Sequence, residues 1–371
     1  MKLDYIKLIR GYYEVERLPV DFSDSRAVPG YAFNILNTLG LLYAPVADKA
    51  HISKTKKKPQ WPEDKSFAVC LTHDVDEVSS HSLKQSLRAF RAPFGGLNST
   101  INKLKRLFNL GYKAFQACKN GFGKDPLHCY DRWLTIEEKA GARSTFFFWP
   151  GWNNITKHHH TDSTYQLHDQ VQFDGQGCTV FEMIQEISRR GWEIGLHPSW
   201  YSYNDIDELK RQKESLENAL GYPIESVRQH FLHYDIRHTP RAHSEAGIKY
   251  DSSLGFSDNV GFRFGTCYPW RLYDLNAKEE LPILEIPLII QDVAMLHPTK
   301  GMRIDASMAM SYVIQIAKEV EKVGGVLTLS WHPNEIINQN SWDLYKKVLD
   351  HLEEKQPWMT SVKEIGDWWQ R

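Results

Sequence analysis

No stretch of the 371-residue chain approaches the roughly twenty consecutive apolar residues that a membrane-spanning helix requires. The opening MKLDYIKLIRGYYEVERLP interrupts its apolar residues with charges every few positions, so no apolar core of a secretory signal is expected there. Cysteine is sparse. Cys70, Cys118, Cys129, Cys178 and Cys267 are odd in number and lack C-x-x-C spacing, which argues against a disulfide framework or a Cys-ligated zinc and predicts reduced thiols in a cytoplasmic protein. An excess of either charge is also missing. With 45 Lys and Arg against 46 Asp and Glu, no general nucleic-acid surface is expected, because that requires a broad basic excess. Internal repeats and low-complexity tracts are absent too. Aromatics are plentiful, with 12 Trp and 17 Tyr; most belong to packing, although such rings also serve as platforms for sugars.

One absence is local. Residues 84–124 contain Lys and Arg but no Asp or Glu. Leu104, Leu107, Phe108 and Phe115 fit one side of a basic amphipathic helix, suited to a membrane surface or an anionic ligand. The ordinary alternative is an inserted helical hairpin whose lysines face water. Residues 1–60 read as an N-terminal extension closed by the Lys- and Pro-rich SKTKKKPQWPEDK, and residues 61–371 as the main domain.

Within that domain, β-branched and aromatic runs alternate with helical patterns. The runs are 67–72, 144–149, 192–197, 225–230, 284–290 and 325–332. Helical spacing covers 180–190, ending at Gly191, then 205–220, ending at Gly221, and 307–323, ending at Gly324. Strand, helix, strand in this order predicts parallel pairing with crossover helices, hence an α/β fold, a barrel or partial barrel.

The ends of the strands carry the chemistry. In AVCLTHDVDEV the alternation of a strand puts Asp74 and Asp76 on one side with Thr72 and Cys70, and turns His73 away. Carboxylates two residues apart sit about 6.5 Å apart at their α-carbons and repel, so a cation is expected beside them. An isolated D-V-D would ordinarily cap a turn. Other strands, however, end in His197, in Arg228 and His230, and in His332, and a parallel sheet gathers all of these at its C-terminal edge. Imidazole and carboxylate together suit Zn²⁺ or another divalent transition metal, and an open coordination position suits hydrolysis.

The ordered set THDVD, EIGLH, strand-end Arg and LSWH resembles the polysaccharide deacetylases with a NodB-type domain, carbohydrate esterase family 4, over residues 66–335. The resemblance implies a distorted (β/α) barrel of about seven strands and metal-dependent removal of an N-acetyl group from an amino sugar. It implies that Asp74 is the general base, Asp76 and His197 are metal ligands, Arg228 orients the base, Leu329 lines the acetyl pocket and His332 is the general acid. The family's second metal histidine would stand four residues after His197, where this chain has Tyr201. His230 shares side-chain parity with Arg228 and is the expected replacement, with His233 and His73 as competitors. Trp331, Tyr201, Arg263 and Trp270 are the remaining expected substrate contacts, the last two from a loop-like run, 250–270, which would otherwise be a long turn held by its own aromatics. Glu285 and Asp292 would support His332 or, more ordinarily, pair with surface lysines. The triplet His158, His159 and His160 reads as a solvated loop. The expected partner is an N-acetylated glycan or a lipid-linked sugar precursor, with peripheral membrane contact through 84–124. The rival readings are opening of a cyclic ureide and a metal-free relative that only binds glycan.

Overall fold

The computed structural model describes residues 3–15, 31–80, 111, 125–151, 159 and 161–371. The basic segment 84–124, apart from Gly111, lies outside the described residues, as do His158 and His160. Twelve strands appear among those described: β1 (Ala68–Val75), β2 (Thr145–Phe148), β3 (Gln170–Phe173), β4 (Gln176–Thr179), β5 (Glu193–Leu196), β6 (Ser226–Val227), β7 (Tyr250–Asp251), β8 (Trp270–Asp274), β9 (Glu279–Glu285), β10 (Ile290–Gln291), β11 (Val326–Ser330) and β12 (Trp358–Thr360). Ten form one sheet in the order β10-β11-β1-β2-β5-β6-β7-β9-β8, with β12 on β1; β3 and β4 make a separate hairpin.

Every pairing in the large sheet is parallel except β8 with β9. Along one edge of β1, Ala68–Cys70 pair with β12 and Thr72–Val75 with β2. Among the described residues no ladder joins β8 to β10, so the sheet is mixed, mostly parallel and barrel-like rather than closed by hydrogen bonds. The chain nevertheless crosses the gap: Ile286 N–H donates to Asp251 on β7, and Ile289 N–H to Thr328 on β11.

The crossover helices start and stop where local chemistry dictates. Thr179 and Glu182 form a reciprocal capping box before Val180–Arg189. Asp205 caps Ile206–Leu220 through Glu208 N–H, and Asp305 caps Ala306–Val323 through Met308 N–H. The last two helices stop at Gly221 and Gly324, with φ of 79° and 70°, a conformation that costs glycine little.

All eight residues of β1 are buried. Val69 and Leu71 join the core under the helices, whereas Ala68 and Cys70 pack with Phe147, Tyr250 and Leu284. His73 faces the helices as parity predicts. Its Nδ1 lies 2.7 Å from the Trp331 carbonyl and its Nε2 2.6 Å from Glu137. Glu137 is fully buried and also accepts from Tyr345, Ser144 and Trp192 at 2.7, 2.6 and 2.7 Å, tying β1 to three other segments of the chain.

The N-terminal region lies against the loop after β7. Leu8, Leu36, Leu42 and Val46 cluster with Phe256. Buried Asp48 accepts from Thr266 Oγ1 at 2.5 Å and from Cys267 N–H at 2.7 Å. Among the described residues, no helix is long and apolar enough to cross a membrane.

Candidate metal centre

Strand β1 runs into Asp76, β5 into His197, and β6 into Arg228 and then His230, so parallel packing delivers all four to one edge of the sheet. Asp76 Oδ1 lies 3.3 Å from His197 Nε2 and 3.4 Å from His230 Nε2. The ligand atoms of these three residues all fall within 4.8 Å of one another.

The hydrogen bonds on the far side of each ring set what these atoms offer. His197 Nδ1 faces the Arg228 carbonyl at 2.6 Å, and an acceptor there requires the ring to carry its proton on Nδ1. His230 Nδ1 faces Asp162 Oδ1 at 3.1 Å, with the same result. Each Nε2 is then left with a lone pair directed at a carboxylate oxygen that is buried and has no hydrogen-bond donor of its own. Two imidazole lone pairs and a carboxylate converging in this way fit a divalent cation, and the donor set suits a borderline metal. Burial would raise Asp76, but the two imidazoles prevail and hold it well below the usual carboxylate range. Its side chain is 30% exposed, so the cluster is open on one side.

Two further pairs flank the cluster. Asp74, almost fully buried, has Arg228 Nη1 at 3.6 Å from its Oδ1. The guanidinium is itself fully buried, donates through Nη2 to Thr72 and Ser252 at 3.0 and 2.9 Å, and lies 5.0 Å from the centre of the Phe147 ring. On the other side, His332 Nδ1 is 2.7 Å from Asp292 Oδ1, and its backbone N–H donates to Asp292 Oδ2 at 2.7 Å. Burial alone would lower His332, but Asp292, helped by Asp76 and Asp74, pushes it up to about 10 in the metal-free protein. His332 Nε2 points back at Asp76 Oδ2, 3.8 Å away.

The structure therefore brings together Asp74, Asp76, His197, Arg228, His230 and His332. It places other expected residues elsewhere. Leu329 is opposite Leu71 in register and belongs to the core under the helices, on the face away from Thr72 and Ser330, so it is no lining for an acetyl pocket. Trp331 is fully buried, with its indole N–H on Ser341 Oγ at 3.1 Å, and cannot touch a substrate. The Arg263 guanidinium is engaged by Glu14 through two contacts of 3.1 Å and by the Gly255 carbonyl at 2.7 Å. Trp270 opens the antiparallel edge strand β8 and packs on Phe264. Tyr201 lies in the 3₁₀ turn Trp200–Asn204, edge-on to His159. His233 stacks on Trp200 at 3.9 Å and is not in the ligand cluster. His159 is buried and stacks on the other ring neighbour of that turn, Trp200 at 4.7 Å, so it is not solvated. Glu285 accepts from Leu254 N–H rather than supporting His332.

Of the two roles weighed for Asp292, the structure shows support of His332 rather than pairing with surface lysines. Two features escaped the sequence. Asp162 comes from a polar loop with no periodicity to mark it. Phe231, next to His230, holds a left-handed backbone (φ 57°), is 42% exposed, and has its ring 4.8 Å from that imidazole.

A mostly parallel α/β sheet whose strand ends present an Asp-His-His cluster defines the class. No family model matches the chain, and no curated protein matches it. Solved structures do share the fold. A protein from Mycobacterium smegmatis assigned as a polysaccharide deacetylase is 20% identical with a TM-score of 0.55, over 84% of this chain and 92% of that one. The allantoinase PuuE is 14% identical with a TM-score of 0.54, over 86% and 95%. A protein from Pseudomonas aeruginosa PAO1, also assigned as a polysaccharide deacetylase, is 14% identical with a TM-score of 0.54, over 86% and 97%.

Proposed function

We propose that the protein is a metal-dependent amide hydrolase that removes the N-acetyl group from an amino sugar of a surface polysaccharide or its precursor. The observation that carries this reading is the convergence of Asp76 Oδ1 with the lone pairs of His197 and His230 between the Asp74–Arg228 and His332–Asp292 pairs. A divalent metal, Zn²⁺ or a similar ion, when held by the three ligands supplies Lewis acidity toward a water and an amide carbonyl. Asp74 is the general base. Arg228, whose Nη1 lies 3.6 Å from Asp74 Oδ1, orients it, and its own hydrogen bonds to Thr72 and Ser252 fix the guanidinium. His332 carries the proton destined for the departing amine on Nε2, while Asp292 holds its Nδ1–H and fixes the ring. The exposed ring of Phe231 offers an apolar face to a sugar beside the cluster, and Tyr201 is a second candidate for that wall.

Scattered free thiols fit a cytosolic precursor on a lipid or nucleotide carrier. The basic segment 84–124 would hold the carrier's phosphates or rest on a membrane. Charge reversal of Lys103, Lys105 and Arg106 that leaves binding to anionic vesicles and activity unaltered removes that part of the reading.

The fold shared with PuuE supports a second reading, opening of a cyclic amide. Metal analysis combined with assays on N-acetylated chito-oligosaccharides and on allantoin separates them. Stoichiometric metal that is lost in Asp76→Ala and His197→Ala, with acetate released only when Asp74 is intact, supports the deacetylase. Ring opening without acetate release supports the second reading. Glycan binding that survives in the metal-free variants, with no turnover by the native protein, sinks both and leaves a binding module.

A further inference from the structure

We propose that Asp162 is the positioning residue of the metal centre, making His230 a competent third ligand in a chain that has Tyr201 where a ligand one turn after His197 would stand. The inference rests on the metal-centre reading above. Asp162 is 3% exposed and comes from the loop that precedes β3. Its Oδ1 accepts from His230 Nδ1 at 3.1 Å and from the backbone N–H of Trp200 at 2.7 Å, and its Oδ2 accepts from His159 N–H at 2.7 Å.

Two consequences follow from that geometry. A carboxylate on Nδ1 fixes the ring tautomer, so that Nε2 presents a lone pair toward Asp76, and it raises the basicity of that lone pair. The same carboxylate fastens the ligand to the turn after His197. Trp200 begins that turn and lies between His159 and His233, with ring separations of 4.7 and 3.9 Å, and its carbonyl is 2.9 Å from His233 Nδ1. Asp162 thus joins the segment bearing His197 to the segment bearing His230, and sets the separation of two ligands that come from different strands. Two histidines one helical turn apart would have their spacing fixed locally; here it is fixed by a residue from a third segment.

The test is metal affinity, read by competition with a chromophoric chelator using Zn²⁺, with the absorption spectrum of the Co²⁺-loaded protein as a second readout. Asp162→Asn keeps the shape and one acceptor but removes the charge, and affinity is expected to fall about 10- to 100-fold. Asp162→Ala should fall further, with an altered Co²⁺ spectrum. His159→Ala removes the stacked ring but leaves the carboxylate and its backbone donors, and should keep affinity within about twofold of native. Native-like affinity in both Asp162 variants overturns the proposal while leaving metal binding by Asp76 and His197 intact. Native protein that takes up no metal, or whose metal persists in Asp76→Ala, overturns the metal-centre reading and this one with it. If the Asp162 variants do not fold, ¹⁵N NMR of the native metal-loaded protein decides: a hydrogen-bonded Nδ1–H on His230 is required, and Nδ1 coordination or an exchanging, unbonded Nδ1–H refutes the role.

Discussion

Arg228 serves both halves of the site at once: its backbone carbonyl holds His197 Nδ1 at 2.6 Å, and its guanidinium stands 3.6 Å from Asp74. Under the proposed roles, the backbone of Arg228 orients His197 and its side chain controls Asp74. Arg228→Met should therefore retain metal, because the carbonyl remains, yet lose about 10²- to 10⁴-fold in kcat because the base loses its cationic partner. Metal content and kcat measured on one preparation check this. Loss of both together would show that the two functions are not separable.

In the metal-free protein, His230 and His332 hold protons more tightly than they would in the unfolded chain. Burial acts to lower both, but Asp162 and Asp76 push His230 up to about 9, and Asp292 with the nearby acids pushes His332 up to about 10. A histidine raised in the folded state contributes stability that is complete below its ordinary value near 6.5 and is lost as pH climbs through the raised one. Chelator-treated protein should thus show a Tm that declines from about pH 6.5 to 10. Because a divalent metal competes with the proton on His230, added Zn²⁺ should stabilise more at the upper end of that window. Thermal scans across pH with and without Zn²⁺ test this, and a Tm independent of pH in the metal-free protein would refute it.

Glu137 is a structural knot. It collects four donors, from His73, Tyr345, Ser144 and Trp192, and its carboxyl is held below the ordinary range despite complete burial. Glu137→Ala strands those donors in the core and should cost on the order of 3–5 kcal/mol, the range for breaking a buried pair. Urea unfolding of the variant measures it. A cost below about 1 kcal/mol would mean that water enters and replaces the carboxylate.

Phe231 has a backbone that glycine would adopt without strain. If its exposed ring serves the substrate rather than the fold, Phe231→Gly should gain about 1 kcal/mol of stability by relieving the left-handed conformation. The KM for an N-acetylated glycan should rise severalfold in the same variant. A drop in stability would instead make the ring a packing element of the loop that carries His230.

Much of the centre is legible in the chain because strands alternate and parallel strands end together. Those two rules place Asp74, Asp76, His197, Arg228, His230 and His332 on one edge and turn His73 into the core. The same parity, applied to Leu329 and Trp331, sets both on the face opposite His332; for Leu329 the family resemblance led away from what alternation already said. Helix limits at Gly191, Gly221 and Gly324 follow from local capping chemistry in the same way.

The sequence by itself thus determined strand faces, helix ends and which acids and imidazoles reach the sheet edge, because each depends on neighbours a few residues away. Only the tertiary structure decided who holds them. Asp162 reaches His230 across 68 residues, Asp292 reaches His332 across 40, and Glu14 claims Arg263 across 249. Contacts of that span are fixed by how the sheet curls and where loops are pinned, and a side chain in a polar loop carries no periodic signature of the partner that the fold will bring to it.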